Sequence, residues 1–177
     1  FMNNEWINKR FDPNFPVIDL NHITINPEDD QHVYISSMGS TRDVNSVSTG
    51  GLLEIKNDEI VNFYNHNNSP LEDILNTIPN IVTIRIAGTA YDSQGNLWVT
   101  NIGVENKLKK LTSSGQWSGA NVNDVLTTIF FGLNEMSIDR NNTLWVGSRR
   151  NGVIVYNENG DRKNHSIQIL LLVTYQI

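Results

Sequence analysis

Residues 90–100 read AYDSQGNLWVT and residues 137–147 read SIDRNNTLWVG. Each copy has an aspartate, a short polar turn and then an apolar pair around tryptophan. The tryptophans Trp98 and Trp145 stand 47 residues apart, and so do Asp92 and Asp139. Self-similarity at a fixed period of about 20–50 residues constrains a fold strongly, because each copy must be one supersecondary unit that stacks on the next. A weaker copy covers residues 23–36 (ITINPEDDQHVYIS), with two more residues in its polar turn and Tyr34 in place of tryptophan.

The copies also continue alike. After a loop comes a short apolar strand at residues 51–55 (GLLEI), 107–111 (KLKKL) and 152–156 (GVIVY). A polar hairpin turn follows at residues 56–59, 112–115 and 157–160, and in two copies a further β-type run starts at Ile60 or at Trp117. Gly and Asn at such turns supply the positive φ that tight hairpins need. Helical periodicity is confined to single turns at residues 71–75 and 122–126, which read as loops between repeats. A repeated four-stranded antiparallel meander of about 45 residues is the blade of a β-propeller.

The expected fold is therefore all-β, a partial β-propeller of about three four-stranded blades forming a single domain over residues 1–177. The repeats fall at approximately 17–64, 81–117 and 130–162. Residues 1–16 read as the end of a preceding blade, since residues 4–11 match the segment around Gln116 and Trp117. Residues 163–177 form an irregular or strand-forming tail, with the apolar run 167–173 reading as a buried strand. Propellers close with roughly four to eight blades, so the expected partners of this arc are other blades of a longer parent chain or a second copy.

Alternation along Leu97-Trp98-Val99 puts the indole on one sheet face and its neighbours on the other. Blade-on-blade packing buries both faces, so Trp98 and Trp145 are expected in the interblade core. Each would cover on the order of 150–250 Å² at about 25 cal/mol per Å². Asp92 and Asp139 lead their hairpins, where a carboxylate can accept turn N–H groups; neither segment carries the glutamate that ends a calcium loop.

Composition narrows the function. With 13 Lys+Arg against 19 Asp+Glu, the net charge of −6 offers no basic field for nucleic acid or anionic lipid. The absence of cysteine excludes disulfides and thiol chemistry. Residues 1–10 show no signal-peptide pattern, and the longest apolar run falls far short of the roughly 20 residues of a membrane-spanning helix. The histidines His22, His32, His66 and His165 share no repeat position and no metal-ligand spacing. Neither a nucleophile elbow nor a phosphate-cradling loop occurs, so no enzymatic activity, metal or cofactor is expected.

In an up-and-down blade the loops from second to third strand collect at one end. They shrink here from residues 37–49 to 101–106 to 148–151. Variable loops on a rigid frame commonly carry binding, which makes Arg42, Asn101, Arg149 and Arg150 the candidate ligand-binding residues. Arginine forks suit phosphate, carboxylate or sugar hydroxyls.

The pattern apolar-x-x-Asp-x-x-Gly-x-Leu-Trp-Val-Gly/Thr, followed by a Gly-Leu-x-x-Tyr-like strand, resembles the two-component regulator propeller repeat of Bacteroidetes-type bacteria. The match is best at Ile138, Asp139, Leu144, Trp145, Val146, Gly147, Gly152, Val153 and Tyr156. The copy at residues 23–36 lacks the Gly and Trp of the pattern, and Asn142 stands where Gly is usual. Residues 51–65 with 68–71, and 100–108 with 114–117, resemble PorZ-like propeller proteins of the type IX secretion system. The resemblance implies an exported, periplasmic or cell-surface protein without enzymatic activity, a binding or scaffold accessory to secretion that engages secretion-machinery proteins and lipopolysaccharide or another glycan. The alternative it implies is the extracytoplasmic ligand-sensing domain of a hybrid two-component histidine kinase.

Overall fold

The computed structural model describes residues 19–39, 48–74, 82–120, 122, 126, 132–149, 152–160 and 167–170. The first repeat forms β1 (Leu20–Asn26), β2 (Asp29–Ser37), β4 (Leu52–Lys56) and β5 (Glu59–Tyr64), hydrogen-bonded in that order. The second forms β7 (Ile86–Tyr91), β8 (Leu97–Asn101), β9 (Leu108–Leu111) and β10 (Trp117–Ala120); the third forms β11 (Leu133–Ile138), β12 (Leu144–Ser148), β13 (Val153–Tyr156) and β14 (Ile167–Leu170). All pairings within these sheets are antiparallel. They are three four-stranded meanders, as the repeat implies, and no helix occurs among the described residues. The tail supplies the fourth strand of the third meander. Two short strands, β3 (Ser48–Thr49) and β6 (Val82–Thr83), pair in parallel outside the sheets and lace the first blade to the link that follows it.

Turn chemistry follows the residues. Asn57 and Asp58 both take positive φ (50° and 64°), the two-residue hairpin geometry that matches strand twist. Asn142 sits at φ 59° in the register position that Gly95 occupies at φ 76°, so asparagine serves where glycine is usual because its short polar side chain tolerates the left-handed region. Its Oδ1 also accepts the Ser93 N–H at 2.8 Å, tying neighbouring turns together. In the first repeat the strands run further than in the others, and the long polar stretch folds onto a turn of only Pro27 and Glu28.

Each blade presents one apolar face backward and one forward. Tyr34 and Leu52 of the first blade pack with Ile86, Leu97, Val99 and Leu111 of the second. Trp98 and Leu108 of the second pack with Leu133, Leu144, Val146 and Ile154 of the third. The links are part of the core: Leu71, Val122 and Leu126 are buried. The first strands of neighbouring blades approach closely at Gly88, where an added Cβ would stand 2.7 Å from the Glu135 Cα. Thr24 Oγ1 donates across the first seam to the Thr89 carbonyl at 2.9 Å.

Trp98 is 2% exposed, as expected of interblade core, but Trp145 is 41% exposed. The two occupy the same register position, so the difference lies in what covers them: the third blade lies over Trp98, and among the described residues no sheet follows to cover Trp145. The opposite end of the arc likewise bares Ile23, Ile25 and Val61. Residues 1–16, read as the end of a preceding blade, lie outside the described residues. From this asymmetry, Trp98→Ala is expected to cost about 3–5 kcal/mol in urea denaturation, and Trp145→Ala distinctly less. Equal losses would contradict the packing described.

Candidate functional site

The two ends of the blades differ in chemistry. At one end lie the loops between second and third strands, closed by a repeating pair of backbone bonds. Ser37, Asn101 and Ser148 each end a second strand and donate their N–H across the loop, to Gly51, Lys107 and Gly152 (3.0, 2.8 and 2.9 Å). The next residue in each case, Met38, Ile102 or Arg149, donates to the segment before its own blade, at Asp19, Arg85 or Gly132 (2.9, 2.8 and 2.8 Å).

Asn101 and Arg149 thus occupy corresponding ends of neighbouring blades, yet differ in burial. Arg149 is exposed. Asn101 is fully buried, its Oδ1 accepting the Glu72 N–H at 2.7 Å and its Nδ2 donating to the carbonyls of Glu72 and Arg85 at 3.2 and 3.3 Å. Its amide fastens the link between the first two blades and leaves nothing for a ligand. Arg42 and Arg150 lie outside the described residues. Lys107 is buried at this same end, and its burial pushes the ammonium below its ordinary range, with Glu105 and Glu72 acting against that shift.

The aspartates of the repeated phrase are committed to the frame. Asp92 Oδ1 accepts the N–H groups of Gln94 and Asn96 (3.0 and 2.9 Å), and Oδ2 accepts the Trp98 indole N–H at 3.0 Å. Asp139 repeats this with Asn141, Thr143 and the Trp145 indole (2.8, 3.0 and 3.2 Å). Thr143 foremost, and then the Trp145 indole, hold the Asp139 carboxyl below the usual carboxylate range. Among the described residues no group of three His, Asp or Glu side chains is arranged to hold a metal ion.

At the other end, between the hairpin turns of the first and second blades, opens a cleft of about 280 Å³. Its origin lies in one register position. In the second blade the residue across from Trp98 is Lys110, whose Nζ sits 5.2 Å from the indole centroid and bonds both Glu158 oxygens at 2.7 Å, so that the seam is filled. In the first blade the corresponding pair is Tyr34 and Glu54. A phenol is smaller than an indole and a glutamate shorter than a lysine, and the seam stays open.

Glu54 gathers three donors there. Tyr34 Oη donates to Oε1 at 3.0 Å and Tyr64 Oη to Oε2 at 2.9 Å. His32 Nε2 lies 2.8 Å from Oε1, while its Nδ1 faces the Asn26 amide Nδ2 at 3.4 Å. That pairing assigns the ring proton to Nε2, with the imidazole donating to Glu54. Tyr91, Lys56, Leu97, Leu111, Thr112 and Ser113 are also in the wall. Sequence reading passed over this cluster because it is visible only once Tyr34 is paired with Glu54 across two strands; the available signal was the change from Trp98/Lys110 to Tyr34/Glu54 at equivalent places.

The phenols feel both burial and the carboxylate. Burial first, then the Glu54 charge and hydrogen bond, raise Tyr34 above the ordinary phenol range. Burial and Glu54 push Tyr64 up to about 12, and burial, Glu54 and Asp29 push Tyr91 up to about 12. A folded-state value above the unfolded one, near 10, favours the folded form fully below pH of about 10, and that contribution disappears as pH rises through about 12. Stability is therefore expected to fall between pH of roughly 10 and 12, with phenolate absorbance appearing together with unfolding. Full phenolate titration near pH of about 10 in the folded protein would contradict the cluster.

No protein-family model matches the chain, and no curated protein matches it. Among solved structures, the chain is similar to PorZ, an essential bacterial surface component of the type-IX secretion system of the human oral bacterium Porphyromonas gingivalis. The two share 25% identity over 82% of this chain, with a TM-score of 0.61. It is similar in fold to the extracellular domain assigned to a hybrid two-component system of B. thetaiotaomicron, at 14% identity over 85% of this chain and a TM-score of 0.53. The chain spans 18% and 17% of those two chains. Repeat motif, meander topology and these likenesses together make the chain a β-propeller segment, similar to PorZ in sequence and fold and to the two-component extracellular domain in fold.

Proposed function

We propose that this propeller segment belongs to a PorZ-like accessory of type IX secretion, exported to the periplasm or cell surface, where it binds and scaffolds without catalysing a reaction. The observation that carries this reading is the 25% identity to PorZ over 82% of the chain. Its frame fits such a role: the polar residues of the repeated phrase are spent on turns and on the indoles, so the motif builds blades and leaves recognition to the loops.

The recognition surface proposed is the end where Arg149 is exposed; Arg42 and Arg150 belong to the same loops in the sequence and lie outside the described residues. Guanidinium forks on an otherwise acidic protein select phosphate, carboxylate or sugar hydroxyl groups, the chemistry of lipopolysaccharide and related glycans. Asn101 enters this proposal as a positioning residue that anchors the link beneath the loops. The fold likeness to a two-component extracellular domain favours a second reading, a ligand-sensing domain of a hybrid histidine kinase. The parent gene separates them: a secretion-type C-terminal domain supports the first, and a transmembrane helix with a kinase domain supports the second. Replacing Arg149 and Arg150 together by alanine in the full-length ectodomain is expected to weaken lipopolysaccharide binding at least about tenfold, the scale of one lost charged hydrogen bond. Unchanged binding would retire the arginine surface.

A further inference from the structure

We propose that the cleft between the first two blades binds a small organic ammonium ion, at a site on the opposite end of the blades from Arg149. Four aromatic rings, those of His32, Tyr34, Tyr64 and Tyr91, line a cleft with one carboxylate, Glu54, among them. His32 and Tyr34 are tilted against each other at 5.0 Å between centroids, and Tyr34 and Tyr91 at 6.3 Å. The Glu54 side chain is only 15% exposed and that of His32 16%.

Charge and hydrogen-bond capacity select the ligand class. Tyr34 and Tyr64 supply protons to Glu54 but no positive charge. The cation in the wall, Lys56, is half exposed, and its Nζ lies 3.8 Å from the Asp29 carboxylate. Glu54 and Lys56 balance within the lining, and Asp29 beside Lys56 adds a further negative charge at its edge, which disfavours a phosphate or a carboxylate. The protons of Tyr34, Tyr64 and His32 are already directed at Glu54, so these three donors are spent on the carboxylate and a neutral sugar would have to draw on Tyr91, Lys56, Thr112 and Ser113 elsewhere in the lining. What remains is a carboxylate with charge but little free lone-pair capacity, surrounded by rings whose faces carry negative potential. A diffuse cation with few or no N–H groups matches that combination, through cation–π attraction and the nearby charge.

The next seam supports the same site from inside the molecule. At the equivalent place in the next seam, the Lys110 ammonium already rests over the Trp98 ring and against the Glu158 carboxylate. Between the first two blades the aromatic ring and the carboxylate are both present, as Tyr34 and Glu54, and the position across from the aromatic holds the acid. An ammonium entering the cleft would restore the aromatic–cation–carboxylate arrangement that the other seam contains by itself.

Calorimetric titration of the 177-residue chain with choline, and with neohexyl alcohol as its uncharged carbon isostere, tests the proposal directly. Choline is expected to bind saturably and the alcohol at least about tenfold more weakly. Glu54→Gln is expected to weaken choline by a similar factor. Because Glu54 also anchors three side chains, Tyr91→Leu provides a second arm that removes one ring and leaves the carboxylate cluster in place; it is expected to weaken choline severalfold while the urea transition stays cooperative. Saturable binding of the alcohol as tight as choline, retention of choline affinity in both variants, absence of saturable choline binding, or binding of a neutral methyl glycoside in preference to choline would each overturn it.

Discussion

A carboxylate that holds an indole six residues downstream organises this molecule. A tryptophan buried between sheets needs a partner for its N–H, or burial costs on the order of 1–3 kcal/mol. Asp92 supplies one, and it is itself nearly buried, so its own charge must be satisfied. The turn does that: N–H groups of Gln94 and Asn96 converge on one oxygen, and the Asn96 amide and the indole on the other. One aspartate therefore closes the hairpin and fixes the ring that the next blade packs against. The spacing of the repeated phrase follows from this geometry, since the turn length sets which residue of the second strand returns above the carboxylate.

Where the Asp92 clasp meets a following blade, the seam is tight; where the first blade departs from it, the seam acquires other chemistry. Trp98 meets the Tyr156 ring edge-on at 5.8 Å, and Lys110 with Glu158 closes the remaining space. The first blade has no aspartate clasp of this kind, and Tyr34 turns instead to Glu54 on the adjacent strand. The change replaces a filled seam by a tyrosine-lined cleft around the Glu54 carboxylate, without altering strand order or direction. A repeat architecture allows this, because each blade contacts only its neighbours and one seam can diverge while the others carry the stability.

Most of the architecture was legible in the sequence because it resides in local pattern. The aspartate–turn–tryptophan phrase, the apolar third strands and the asparagine-rich turns specify meanders, and Asn57, Asp58 and Asn142 adopt the backbone their residue types favour. What was not legible depends on register or on neighbours. The exposure of Trp145 is decided by what lies over its sheet, which its own motif does not encode. Asn101 looked like a loop residue suited to a ligand, whereas the end of β8 faces a buried link whose N–H and carbonyl groups demand an amide. The Glu54 cluster joins residues from three strands, and no single window of sequence contains it.

The account rests on coupling between carboxylate and indole, and a double-mutant cycle measures that coupling. Trp98→Phe keeps most of the apolar surface and removes the indole N–H; Asp92→Ala removes the acceptor; the pair is compared by urea denaturation with each single change. The account predicts that the double variant loses less stability than the sum of the two single losses, with an interaction of about 1 kcal/mol or more. Additive losses, within about 0.3–0.5 kcal/mol, would mean that the aspartate and the tryptophan act separately and would contradict the clasp as the origin of the repeat.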